Sequence, residues 1–135
     1  MIPLWKFLPA SVAHQLAPIG IRFYSDLASD MSSHWRPLAW RGLAFQNRLG
    51  IAGGVDKNAE LIESWANLGF GFAEIGTVTP RPQNANPGKI LDRDWEQKLL
   101  WNRMGFPNAG QWDVRARLQS VGPQPIPIFL NVGKN

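Results

Sequence analysis

The apolar positions fall into two regimes along the chain. Over residues 1–35 they recur every three or four residues, with Val12, Leu16 and Ile19 on one face and Phe23 and Leu27 on another, the spacing of two short amphipathic helices. Ser11 is placed to cap the first, which is expected to end near Pro18-Ile19-Gly20, and the second is expected from about Ile21 to Ser29. Pro37 and an Arg41-Gly42 turn mark the boundary with the second regime, in which strand and helix patterns alternate. Leu49, Ile51 and Ala52 read as a short buried strand that ends at Gly53-Gly54. Asn58 is the expected N-cap of a helix from Ala59 to Leu68, which carries Leu61, Ile62, Trp65 and Leu68 on one face and stops at Gly69. Phe72 to Val78 is a second strand, followed by a long loop of turn residues from Pro80 to Gly88. Asn108, with Gln111 three residues on, is placed to cap a helix whose stripe is Val114, Leu118 and Val121, and Ile126 to Val132 is a third strand. The order β-α-β-loop-α-β is that of an α/β domain built on a parallel sheet, so the chain divides into a helical extension, residues 1–39, and an α/β part, residues 40–135.

Composition narrows the functional classes. With 135 residues, 44% hydrophobic and 18% charged, the chain can bury one ordinary core. It has no cysteine and only His14 and His34 as imidazole ligands, with no second ligand at helical or turn spacing, so no metal is expected. The charge of +4 is uneven: Lys6, Arg22, Arg36, Arg41 and Arg48 outnumber Asp26 and Asp30 in the first 50 residues, a stretch that also holds Trp5, Trp35 and Trp40. Such a basic, aromatic segment suits an anionic lipid surface or nucleic acid. Nucleic acid is disfavoured because the candidate binding residues are glycines and amides rather than arginines on a strand face. No apolar run approaches the ~20 residues needed to span a bilayer, and the first residues lack the cationic and long apolar regions of a secretory signal. Neither G-x-G-x-x-G nor G-x-x-x-x-G-K-[ST] opens a helix, which disfavours a dinucleotide-binding or P-loop unit.

Each strand ends in small or polar residues, and parallel α/β folds bind ligands at strand C-termini. Gly53 and Gly54 would let a flat ligand approach the backbone, with Lys57 supplying positive charge beside it. A solvated strand-to-helix turn would carry the same residues. Four segments in order, however, carry a family resemblance: Ile51 to Asn58 (IAGGVDKN), Glu74 to Gln83 (EIGTVTPRPQ), Asn102 to Phe106 (NRMGF) and Asn131 to Asn135 (NVGKN). Together they resemble the first part of class 2, quinone-linked dihydroorotate dehydrogenases, closely from about residue 40 onward and more loosely over residues 1–39.

The resemblance implies an (α/β)₈ TIM barrel preceded by a short helical extension, with FMN at the C-terminal ends of the strands. The implied activity is oxidation of dihydroorotate to orotate, with quinone as acceptor, in pyrimidine biosynthesis, at the cytoplasmic face of a membrane. Carried over by position, it implies that Gly53, Gly54, Val55, Asp56, Lys57, Thr77 and Asn131 bind FMN. Lys57, Asn102, Arg103, Met104, Gly105 and Phe106 would bind the pyrimidine. It implies, too, that the helical extension touches the membrane surface and frames the quinone's path. The sequence departs from the family pattern at Arg48, Gly53, Val55, Lys89 to Arg93 and Pro107. Three strands fall short of a barrel of about 250 residues. The family's catalytic Ser has no matching position before Asn135, so these 135 residues alone are expected to lack dehydrogenase activity. The alternative is a non-catalytic half-barrel that pairs with a complementary chain or a second copy.

Overall fold

A computed structural model describes residues 7–28 and 34–135. Trp5 and the expected helix end at Ser29 lie outside the described residues. Instead of two helices, Ala10–Leu27 forms one, α1, with Pro18 inside it. A proline removes one i→i−4 bond, but the apolar phase carries straight through it from Leu16 to Ile19, Phe23 and Leu27. Ser11 is not the cap; Pro9 holds the N-cap position with no side-chain hydrogen bond. The apolar stripe points to solvent, with Ile19, Phe23 and Leu27 between 67% and 71% exposed. The other face docks on the domain, where Ile21 packs against the core, the Ser25 hydroxyl meets Ser64 Oγ at 3.0 Å and Arg22 donates to the Glu60 carbonyl at 2.8 Å.

Leu38–Trp40 (β1) and Leu43–Phe45 (β2) form an antiparallel hairpin that the sequence reading registers only as a turn. Arg41 and Gly42 both have positive φ, as a two-residue type I′ turn requires. Phe45 at its end stacks on Phe129 and meets Phe72 edge-on, closing one end of the sheet with an aromatic cluster.

That sheet is Gly50–Asp56 (β3), Phe72–Val78 (β4) and Ile128–Val132 (β7), all parallel, in the order β3-β4-β7. β3 runs through the two glycines rather than ending at them, and it is an edge strand of the described sheet, with Ala52 and Gly53 exposed. In central β4, Ala73 and Ile75 are fully buried beneath Ile62–Asn67 (α2) and Gln111–Val121 (α3), which contribute Ile62, Trp65 and Val114 to the core with Leu61 and Ile126 beside them. Phe72, Glu74 and Phe129 belong to the other face by alternation. The three described strands form an open sheet, so closure of a barrel is not seen.

Two expected caps are corrected. Ala59 sits at φ +60, and α2 begins at Ile62 instead of Ala59. Asn58 is not the cap, for its Oδ1 accepts the Ala109 N–H across the domain at 2.9 Å; Asp56 binds the orphan N–H groups of Glu60 and Leu61. Gly69, at φ +82, ends the helix as expected. The cap position of α3 is Gly110, although Asn108 Oδ1 does accept the Gly110 N–H at 2.8 Å. Finally, Leu91–Asp94 (β5) and Leu99–Asn102 (β6) form a second hairpin, with Asp94 Oδ1 bonding the Glu96 and Gln97 N–H groups in its turn. Arg93 donates to the Leu8 carbonyl, tying this hairpin to the start of α1.

Candidate functional site

The strand ends gather the motif residues into one cleft of about 710 Å³, within the range of small-molecule and cofactor sites. Gly53, Gly54, Val55 and Lys57 line it from β3 and the turn after it, Thr77 from β4 and Asn131 from β7. Asn102 lines it from the end of the strand Leu99–Asn102, and Arg103, Met104, Gly105 and Phe106 from the segment after it. Segments 54 residues apart in sequence meet because parallel strands bring their C-terminal ends to the same edge.

Asp56 is the exception. It is 3% exposed, and its carboxylate turns away from the cleft to bond the Glu60 N–H at 2.8 Å, the Leu61 N–H at 2.9 Å and the Trp65 indole at 3.2 Å. The acid expected beside the ligand therefore builds the α2 N-terminus instead.

The remaining groups form a graded surface. Gly54 has φ +89 and open space where a Cβ would stand, so the backbone here presents no side chain to a flat ligand. Lys57 Nζ donates to the Gly54 carbonyl at 2.5 Å. Burial lowers the Lys57 pKa from its ordinary value, and Asp56 offsets part of that shift. Asn131 bridges two strands: its Oδ1 accepts the Thr77 hydroxyl at 2.8 Å and its Nδ2 donates to Glu74 Oε1 at 2.7 Å. A hydroxyl donor on one side and a carboxylate on the other leave the amide a single satisfied orientation. Gly76 makes this possible, since a Cβ there would lie 2.4 Å from the Asn131 carbonyl.

The sequence reading missed Glu74 as a site residue, although it stands inside a quoted motif, and His14, which it weighed only as a metal ligand. His14 lines the cleft from α1, and burial first and the Lys57 charge second lower its pKa. No local signal marks a helical His as part of a site 40 residues away. Among the described residues no group of side chains could hold a metal ion.

The segment from Asn102 to Phe106 is held from behind. Asn108 Nδ2 donates to the Phe106 carbonyl and to Thr79 Oγ1, both at 2.9 Å, while its Oδ1 accepts the Thr79 N–H at 3.2 Å. The Arg103 guanidinium donates to the Pro87 carbonyl at 2.9 Å. A cleft edged by an ammonium, the three amides of Asn86, Asn102 and Asn131 and free backbone, with a carboxylate set on one strand, suits a planar heterocycle with several carbonyl or imide groups and an anionic partner beside it. A larger groove of about 850 Å³ between α1, α2 and α3 holds none of the expected site residues, and its Arg117 is paired 3.4 Å from Glu60. Chemistry rather than size singles out the cleft at the strand ends.

The family model described as Dihydroorotate dehydrogenase matches residues 38–135. A relative named dihydroorotate dehydrogenase (quinone) from Nitratiruptor sp. is 50% identical over 94 residues, which are 70% of this chain and 27% of the relative. Another of the same name, from Aromatoleum aromaticum, is 40% identical over 134 residues, 98% of this chain and 38% of the relative. The crystal structure of DHODH in complex with ferulenol from Eimeria tenella superposes with a TM-score of 0.82 at 30% identity, covering 100% of this chain and 40% of that one. The chain thus spans between about a quarter and two fifths of the length of these proteins.

Proposed function

Because this chain belongs to the dihydroorotate dehydrogenase family, we propose that it provides the flavin- and pyrimidine-binding strand ends of a quinone-linked enzyme that oxidises dihydroorotate to orotate in pyrimidine biosynthesis. The observation that carries this reading is the convergence of Gly53, Gly54, Lys57, Thr77 and Asn131 with residues 102–106 on one cleft. FMN fits these residues: the bare Gly54 backbone admits a flat ring, Gly53 leaves room for the Glu74 carboxylate beside it, and Lys57, Thr77 and Asn131 offer polar partners. The chemistry FMN supplies when bound is acceptance of two electrons from the pyrimidine and their release to quinone.

The chain's own contribution is positioning and charge. Lys57 sets a positive group where negative charge develops during hydride transfer, and residues 102–106 hold the anionic pyrimidine against it. Among the described residues no serine lines the cleft, so the general base that takes the substrate proton is proposed to come from another strand-end loop of the barrel. In this reading β3, β4 and β7 are three strands of an (α/β)₈ barrel, and the free edges of β3 and β7 pair with further strands. The same edges, with Leu130 and Val132 exposed on β7, favour a second reading in which a complementary chain or second copy completes the sheet. The test is purification of the full natural polypeptide. Co-purified FMN in a single-chain species, with quinone-dependent orotate formation, is expected; a flavin-free protein without that activity overturns the proposal, and FMN found only in a multi-chain species selects the second reading.

The helical extension is proposed to rest on the membrane at its cytoplasmic face, where a lipid-soluble acceptor would reach the cleft. Support comes from the solvent-facing stripe of α1, which does not cover the sheet, and from His14 on the same helix lining the cleft. No helix among the described residues is long and apolar enough to cross a membrane. Replacing Ile19 and Phe23 together by glutamine is expected to leave stability within ~0.5 kcal/mol, as for exposed positions. Binding to anionic vesicles is expected to fall by more than about tenfold, because each side chain buried in lipid is worth ~1.5–3 kcal/mol. Unchanged co-sedimentation would exclude the membrane role.

A further inference from the structure

The long loop from Pro80 to Gly88 packs against the pyrimidine-binding segment, and two of its side chains, Gln83 and Asn86, bond that segment's backbone, Asn86 lining the cleft as well. Gln83 Nε2 donates to the Gly105 carbonyl at 2.7 Å. The Asn86 N–H donates to the Met104 carbonyl at 2.9 Å, and Asn86 Nδ2 to the Arg103 carbonyl at 2.9 Å. Three consecutive carbonyls are therefore pinned from one side. Each shares a planar trans peptide with the next residue's N–H, so fixing the carbonyl fixes that N–H as well. The N–H groups so fixed belong to Met104, Gly105 and Phe106, and among the described residues none of the three donates to a protein group. Successive free N–H groups in a segment with left-handed residues, here Gly105 at φ +76 and Phe106 at φ +53, are the makings of an anion-binding nest.

Gln83 is itself held. Its backbone exchanges two hydrogen bonds with Asn108, at 3.0 and 2.9 Å, and its Oε1 accepts from Asn135 Nδ2 at 3.1 Å. Asn135, just beyond β7, also accepts the Arg81 N–H at 2.8 Å. The contact is close: a Cβ on Gly105 would lie 2.6 Å from the Asn86 amide, and one on Gly110 would lie 2.8 Å from Pro82 N. We infer that Gln83 is a positioning residue, joined by Asn86, that links the end of β7 to the pyrimidine-binding segment and presets its three free N–H donors. A loop segment left to itself samples several peptide orientations; this one is supported at each carbonyl by a second loop. Neither Gln83 nor Asn135 touches the cleft, so their effect reaches the ligand only through residues 104–106.

The inference rests on the function proposed above. Its test uses Gln83→Met, which keeps volume but loses both side-chain bonds, and Asn135→Ala, which frees the Gln83 amide from the end of β7 without altering the cleft lining, in the full FMN-loaded polypeptide. The orotate Kd and the dihydroorotate KM are expected to rise about tenfold, the upper value for one lost hydrogen bond. The quinone KM and the FMN content are expected to stay within twofold, a split that a general loss of structure would not produce. Unchanged orotate affinity, or FMN lost in parallel with it, overturns the inference. Should Gln83→Met fail to fold, Asn135→Ala carries the same comparison. Backbone order at residues 104–106 of the ligand-free protein, read by amide nitrogen NMR relaxation, separates the two proposals: it should fall in both variants even if the unsubstituted protein binds no orotate, and unchanged order overturns the positioning role alone.

Discussion

Lys57→Ala in the FMN-loaded enzyme is expected to lower turnover by about 10²- to 10³-fold, the usual loss when one preorganised donor at a site of developing charge is removed. Its melting temperature should change little, because the side chain's hydrogen bond is to the nearby Gly54 carbonyl and joins no other element. Burial lowers the Lys57 pKa, so the folded protein binds its proton less tightly than the unfolded chain does. The charged lysine therefore costs stability at pH values below the folded pKa, and that cost fades as pH rises toward the ordinary lysine range. At neutral pH the alanine variant is relieved of the cost. Turnover follows the opposite sense: it needs the ammonium, so the alkaline fall in rate should begin at lower pH than an ordinary lysine's titration and should be absent in Lys57→Arg. Single-turnover flavin reduction measured across pH reads this directly. An unchanged rate with an unchanged melting temperature would return Lys57 to a solvated turn.

What the residues disclose in advance follows from how local each cause is. β4 is legible to the residue because a run from Phe72 to Val78 between Gly71 and a Pro-rich loop admits little else. The cleft is legible through its motifs, since parallel strands bring their ends together whatever the intervening helices do. α1 is misread because Pro18 and Gly20 are local stop signals, whereas the contacts that dock the helix, Ile21 on the core, Arg22 on the Glu60 carbonyl and Ser25 on Ser64, are tertiary. The hairpin of β5 and β6 escapes notice because Leu-Asp-Arg-Asp has the alternation of a strand but the composition of a loop, and its stabilising contacts are with β6 and the start of α1. His14 and Glu74 enter the site through tertiary placement alone.

Asp56 carries the same lesson, with a large measurable consequence. Sequence adjacency to Gly54 and Lys57 suggests a ligand contact, yet all its hydrogen bonds point into the fold. Asp56→Ala would leave the Glu60 N–H, the Leu61 N–H and the Trp65 indole without their acceptor in a site that is 3% exposed. Buried polar groups left unpaired cost ~1–3 kcal/mol each, and the α2 N-terminus loses its anionic partner as well, so the expected loss is on the order of 3–5 kcal/mol. Asp56→Asn keeps the shape and one acceptor oxygen but replaces the other with a donor facing an N–H, so an intermediate loss of about 1–2 kcal/mol is expected. Chemical denaturation of the FMN-free protein isolates this from any effect on the cofactor. The two neighbours should then separate cleanly: Lys57→Ala slow and stable, Asp56→Ala unstable, with whatever fraction remains folded still binding FMN. An alanine variant at Asp56 that unfolds like the unsubstituted protein yet no longer holds FMN would return this carboxylate to the cleft.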